Sequence, residues 1–169
     1  HDGIVDEDDA LALLDRAFGT GQDPQIDDLR RRLSAGEPLP FDVVRNATDG
    51  LGEVFFTLAT ALNGEADDSY TLIYARIAAW LRPDHADAQL LTAGLLEQQG
   101  QHELATAAYA AIPPDSPIFH VAEIGRAQAT YAAGRKEASL EILQALTRSH
   151  GQIMAVHVAL ADALRREER

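Results

Sequence analysis

The side chains that could do chemistry are few, and their spacing decides against most of it. Six histidines are present: His1, His85, His102, His120, His150 and His157. A zinc site on one helix needs ligands about one turn apart, as in H-E-x-x-H, and no two of these histidines have that spacing. His150 and His157 lie on either side of Gly151, which breaks any helix they could share. With no cysteine in the chain there is neither a disulfide framework nor a thiolate ligand. No G-x-G-x-x-G, Walker loop or G-x-S-x-G nucleophile elbow occurs. Gly19-Thr20-Gly21 follows no strand pattern and is expected to end a helix. Paired carboxylates such as Glu167-Glu168 fall on polar helix faces. The expectation is a non-enzymatic chain with no cofactor and no metal, so function must lie in surfaces rather than in reactive groups.

Those surfaces are set by a repeat. Gly100 and Gly134 are 34 residues apart, and each is framed alike. A small residue precedes it (Ala93, Ala127) and another follows it (Ala105, Ser139). Large residues then stand at Tyr109 and Leu143, and at Ile112 and Leu146. The same frame stepped back gives Ala59, Thr71, Ala75 and Ala78, closing at Pro83. Stepped forward it gives Leu160-Ala161 and Leu164. A period near 34 built as helix–turn–helix is the signature of one repeat class. Leu58-Ala59, Leu160-Ala161, Ala105 with Tyr109, and Pro83 fill its L-G, A-x3-F and proline slots. The chain therefore resembles tetratricopeptide repeat (TPR) proteins over roughly residues 50–169. Its Trp slot instead holds Phe55, Gln89, Glu123 and His157, and Thr71 replaces an alanine. The phrases YARIAAWLRPDHADA and ALADALRREER resemble those of large bacterial multi-repeat TPR proteins.

The resemblance implies an all-α, right-handed superhelical solenoid of antiparallel helix pairs. The repeats fall at about 52–85, 86–119 and 120–153, with the first helix of a fourth at 154–169. Helices are expected near 67–81, 86–99, 102–112, 118–133, 136–148 and 152–167, preceded by one from Asn46 or Thr48 to Leu62. Asp84, Asp115 and Ser116 are the expected caps at their junctions. A leading helical pair occupies 1–35. Residues 1–5 are expected to fray, and Asp6-Glu7-Asp8-Asp9 to load a helix start. That helix carries Leu11, Leu14, Ala17 and Phe18. The second begins at Pro24, with Ile26, Leu29 and Leu33 inward and Arg30, Arg31 and Arg32 outward near Asp27 and Asp28. Gly36-Glu37-Pro38-Leu39-Pro40 cannot continue a helix, so 36–47 reads as a linker, with 48–169 as the array. The chain begins at His1 and has Met154 as its one methionine, which reads as a piece of a longer protein.

Net charge is −13, so the chain lacks the clustered Lys and Arg that nucleic acid or an anionic membrane would require. The acidic excess sits in front: residues 1–68 hold 16 acidic and 5 basic side chains, the rest 11 and 9. A basic partner docking on that front is one expectation, and plain solubility the other. Hydrophobic residues reach 46% with aromatics at 6%, a composition suited to thin helical layers. No apolar run approaches the ~20 residues of a membrane-spanning helix.

One apolar stripe shares the repeat period: Phe56, Leu90, Ile124 and Val158. First helices line the concave face of a solenoid. By resemblance to TPR proteins these positions look into the groove, with Thr60, Gly94, Gln128 and Asp162 one turn on. Asn63, Glu97, Tyr131 and Arg165 come one turn later. The expected groove is Phe56, Thr60, Asn63, Leu90, Gly94, Glu97, Ile124, Gln128 and Tyr131, receiving a peptide or protein segment in a scaffold or adaptor role. Packing against neighbouring helices would demand the same apolar residues. The basic clamp of TPR co-chaperones is absent, because its slots are apolar or acidic here. Two alternatives stand beside the groove. One is homodimerisation through the last helix, exposing Val156, Leu160, Ala163 and Leu164; the other is a non-catalytic part of a larger enzyme. The resemblance leans toward the bacterial periplasm or cell envelope ahead of the cytoplasm.

Overall fold

The computed structural model describes residues 7–19, 21, 23–39 and 43–167. Expectations for residues 1–5, Asp6, Thr20, Pro40, Phe41, Asp42 and Glu168 lie outside these. The chain forms two compact units, His1–Val43 and Val44–Arg169. Among the described residues all regular structure is helical.

The first unit is a helical pair, α1 (Glu7–Phe18) and α2 (Pro24–Ser34). Asp23 caps α2 by accepting from the Gln25 amide at 2.8 Å, and Pro24 occupies the first turn, where its missing N–H costs nothing. Arg30 departs from the expected outward triplet. Its guanidinium reaches across to α1, bonding Asp15 at 3.0 Å and the carbonyls of Leu14 and Gly19 as well as Asp27. A cation at a helix C-terminus satisfies carbonyls that have no intrahelical partner. Three adjacent arginines read as one solvated face in the sequence, which is why Arg30 is expected outward. Arg31 does face solvent, pairing with Asp28 and Glu37, while Arg32 is half-buried and pairs with Glu37.

The second unit holds α3 (Ala47–Leu62), α4 (Asp68–Leu81), α5 (Ala86–Gln98), α6 (His102–Ala110), α7 (Phe119–Ala132), α8 (Lys136–Ser149) and α9 (Met154–Glu167). Each helix packs on the next, and α7 also touches α5 and α9. The two 34-spaced glycines close α5 and α7 identically. Gly100 and Gly134 take φ of 71° and 83°, a region costly for residues with a Cβ. Gln101 N then donates to Leu96 O at 2.8 Å and Arg135 N to Thr130 O at 3.1 Å, the 6→1 bond of a Schellman close.

The small slots let paired helices meet. Ala59, Ala93 and Ala127 are 0–1% exposed, as are their counterparts Thr71 and Ala105, with Ser139 at 3%. Ser139 Oγ donates to Ala127 O at 2.7 Å, tying α8 to α7. Tyr109 of α6 lays its ring tip on Gly125 of α7 while its hydroxyl donates to Glu97 of α5 at 3.0 Å. Burial, with Glu97 beside it, pushes the Tyr109 phenol up from its ordinary range.

Two further expectations are corrected. Val156 and Ala163 are buried, Val156 fully, because α9 docks on its predecessors and Ala163 joins Ala127 and Leu143 in one cluster. Leu160 packs against that cluster, and Leu164 alone of the four stays exposed. The caps also differ. Asn46, one of the two candidates, caps α3 by accepting from Asp49 N at 3.0 Å. His85 rather than Asp84 caps α5, its Nδ1 accepting from Ala88 N at 3.4 Å. Ile118 precedes α7 with no side-chain cap, leaving Asp115 and Ser116 unused there.

Candidate functional site

The first helices α3 and α5 lie side by side with a cleft of about 340 Å³ between them. From α3 come Phe56 and Thr60, with Asn63 just beyond its end; from α5 come Asp87, Leu90, Leu91, Gly94, Leu95 and Gln98. That volume is at the small end of ligand pockets. The walls are apolar at Phe56, Leu90, Leu91 and Leu95, while Asn63 and Gln98 stand at the rim. Thr60 Oγ1 donates back to Phe56 O at 2.9 Å, which fixes its side-chain rotamer. Gly94 sits mid-helix without a positive φ, and a Cβ added there meets nothing within 4 Å. Its missing side chain leaves the floor of the cleft open.

One end of the cleft abuts a network of charges. The Phe56 ring lies 4.5 Å from that of buried His85, whose Nε2 lies 3.3 Å from Glu53 Oε1 without hydrogen-bond geometry. Arg82 bonds the same Glu53 oxygen. Arg45 donates to Asp49 at 2.6 Å and reaches Asp84 at 2.9 Å. The Arg45 hydrogen bond holds the Asp49 carboxyl below the usual carboxylate range. This network joins the start of α3 to the α4–α5 junction and so fixes the angle between the cleft walls.

The nine expected groove residues thus divide. Phe56, Thr60, Asn63, Leu90 and Gly94 share the cleft. Glu97 is held by the Tyr109 hydroxyl. Ile124 packs with Leu140, Ile142, Ala159 and Leu160 around the Ala127 cluster. Tyr131 lies under two cations, Lys136 Nζ at 5.5 Å and Arg166 at 5.3 Å from its ring centre, and Lys136 also pairs with Glu167 at 3.4 Å. Those contacts clasp α7, α8 and α9 together. Gln128 is exposed on α7. Val158 is exposed on α9. Asp87, Leu91, Leu95 and Gln98 join the cleft without having been expected there, although Asp87, Leu91, Gly94 and Gln98 recur at the spacing of one helix face.

A second hollow of about 400 Å³ lies among α4, α5 and α6, lined by Arg76, Trp80, Gln89, Thr92 and Leu104 with small residues between. Trp80, the one tryptophan of the chain, is 78% exposed at its edge.

No family model matches the chain, and no curated protein matches it. Among solved structures the chain is similar to one described as "MamA RS-1 ArsTM double mutant", at 16% sequence identity and a TM-score of 0.59. The match covers 96% of this chain and 86% of that one. At that identity the likeness is one of fold, and MamA contains TPRs. The architecture is all-α and TPR-like.

Proposed function

We propose that this chain is a protein-interaction scaffold that holds a polypeptide segment in the cleft between α3 and α5. The observation that carries this is the joining of Phe56, Thr60, Asn63, Leu90 and Gly94 in one hollow with apolar walls and an amide-bearing rim. Apolar anchors with a few rim hydrogen bonds are how grooves of packed helices take peptides. Ile124 and Tyr131 of the expected groove make packing contacts instead, which favours a site formed by α3 and α5. Gly94→Trp tests this, since the new side chain projects into the cleft from a Cβ that strikes nothing. Peptides selected from a display library on the wild type should lose binding to Gly94→Trp while circular dichroism stays unchanged. Selected peptides that bind both equally would place recognition elsewhere.

Self-association through α9 is the second reading. Ala161 is exposed where the equivalent Ala59, Ala93 and Ala127 are buried, and Met154 is 75% exposed on the same helix with Val158 and Leu164. Scattering mass rising with concentration, and falling back in Val158→Glu/Leu164→Glu, supports it. A constant monomer mass removes it.

A further inference from the structure

The charge around the α3–α5 cleft specifies the chemistry of what enters it. Among the described residues lining it, Asp87 carries the charge. Between Arg82 and Arg126 the sequence places Asp84, Asp87, Glu97, Glu103, Asp115 and Glu123, with no Lys or Arg at all. The α5 wall therefore belongs to a stretch that is purely acidic in its permanent charge. At the end marked by Phe56 and His85, the carboxylates of Asp49, Glu53 and Asp84 are set against two guanidinium groups, Arg45 and Arg82. Asp49 is buried in its bond to Arg45, but the Asp84 side chain is half exposed. Negative charge is in excess at this end of the cleft.

Low-dielectric walls focus such a field into the hollow. An acidic tail entering the cleft would meet carboxylates at its end and no cation among the described residues of its lining. A second copy of this chain would bring its own net charge of −13. A cationic segment gains from both the near groups and the overall charge, and its on-rate gains as well.

We infer that the cleft is selective for a polypeptide segment in which a bulky apolar residue is flanked by Lys or Arg, the apolar side chain entering between Phe56 and Leu90 and the cation resting toward Asp84 and Asp87. This rests on the cleft being the peptide site. It differs from the basic clamp for acidic tails in the sign of the ligand. It also gives the acidic composition of this part of the chain a role in recognition.

Three fluorescein-labelled synthetic peptides test it by anisotropy, identical but for the residues flanking a Leu-Phe core: Lys on both sides, Ser on both sides, or Glu on both sides. The Lys peptide should bind tightest and the Glu peptide weakest, with the Lys peptide alone losing affinity severalfold as salt is raised. Asp84→Asn/Asp87→Asn, checked for folding by circular dichroism, should erase most of the Lys-over-Ser preference. The wild-type salt series decides the matter even if that variant does not fold. Equal affinities for all three peptides, each abolished by Gly94→Trp, would overturn the charge selectivity and leave the cleft standing. Failure of every peptide to bind, or binding untouched by Gly94→Trp, would overturn both.

Discussion

Gly125 offers the sharpest test of how the helix pairs stack. It lies inside α7, where alanine would ordinarily be worth about 0.5–1 kcal/mol more than glycine. In this structure the added Cβ would lie 2.5 Å from Tyr109 Cζ, 2.7 Å from Cε1 and 2.8 Å from the hydroxyl oxygen. No side chain tolerates such overlap, so the ring must swing away. It then leaves a close-packed site, a displacement that costs about 1–3 kcal/mol. It also strains its bond to the Glu97 carboxylate, and bonds to charged groups are worth about 1.5–3 kcal/mol. These terms overlap and do not add, but either exceeds the helix gain. Gly125→Ala should therefore destabilise the protein by about 1–3 kcal/mol, the thermal midpoint falling roughly 2–4 °C for each kcal/mol in a chain of this size. Urea denaturation read by circular dichroism and by Trp80 emission gives the value. On a Tyr109→Leu background the same change should be neutral or stabilising, a coupling within the roughly 0.5–3 kcal/mol found for residues in contact. If Gly125→Ala is as stable as the wild type with Tyr109 in place, the ring does not rest on that glycine and α6 does not pack on α7 through it.

Other outcomes follow from single sites. Ala127→Leu, at a slot almost wholly buried beside Ser139, should cost about 1–3 kcal/mol by overpacking, and an unchanged melting temperature would count against the repeat register. Gly94→Ala should instead stabilise by about 0.5–1 kcal/mol in urea titration, because its Cβ points into open space within a helix. His120 contributes a pH dependence. Burial, and then the neighbouring His150, lower its pKa below the ordinary 6.5, against the Pro117 backbone contact that raises it. Its contribution is complete above about 6.5 and is lost as pH falls below that value, since the unfolded chain takes up a proton the folded chain resists. His120→Asn should flatten the stability profile in that window, whereas an unchanged slope would assign it to other groups. Arg30→Met should speed proteolysis within His1–Val43 by releasing α1 from α2, and leave cleavage of Val44–Arg169 unaltered.

The repeat is legible in the sequence because its signals are local and periodic. Glycine at 100 and 134 is dictated by a left-handed close. Small residues at 59, 93 and 127 are dictated by helix contact. Both requirements recur with each pair and so print a period on the chain. The stripe through Phe56, Leu90, Ile124 and Val158 carries the same period but separate fates. An apolar side chain on one helix face serves a cleft or a packing contact equally well. Only the position of α8 and α9 decides that Ile124 is covered while Leu90 lines a hollow. Contacts between distant residues are illegible for a related reason. Arg30 reaching α1, Tyr131 beneath Lys136 and Arg166, and Tyr109 spanning from Glu97 to Gly125 each depend on the approach of separate helices. None of them leaves a spacing signal. Val156 is misassigned when α9 is taken to have one apolar face, whereas the face carrying Val156 and Ala163 docks inward and that carrying Met154 and Val158 does not.

Binding of a segment between α3 and α5 is tested most directly by a two-dimensional amide NMR titration of the isotope-labelled protein with the Lys-flanked Leu-Phe peptide. A segment lodged there should shift Phe56, Thr60, Asn63, Leu90, Leu91 and Gly94, while the amides around Trp80 and along α9 stay in place. Shifts concentrated around Trp80, Leu104 and Arg76, or along Met154 to Leu164, with the α3–α5 amides unmoved, would contradict it.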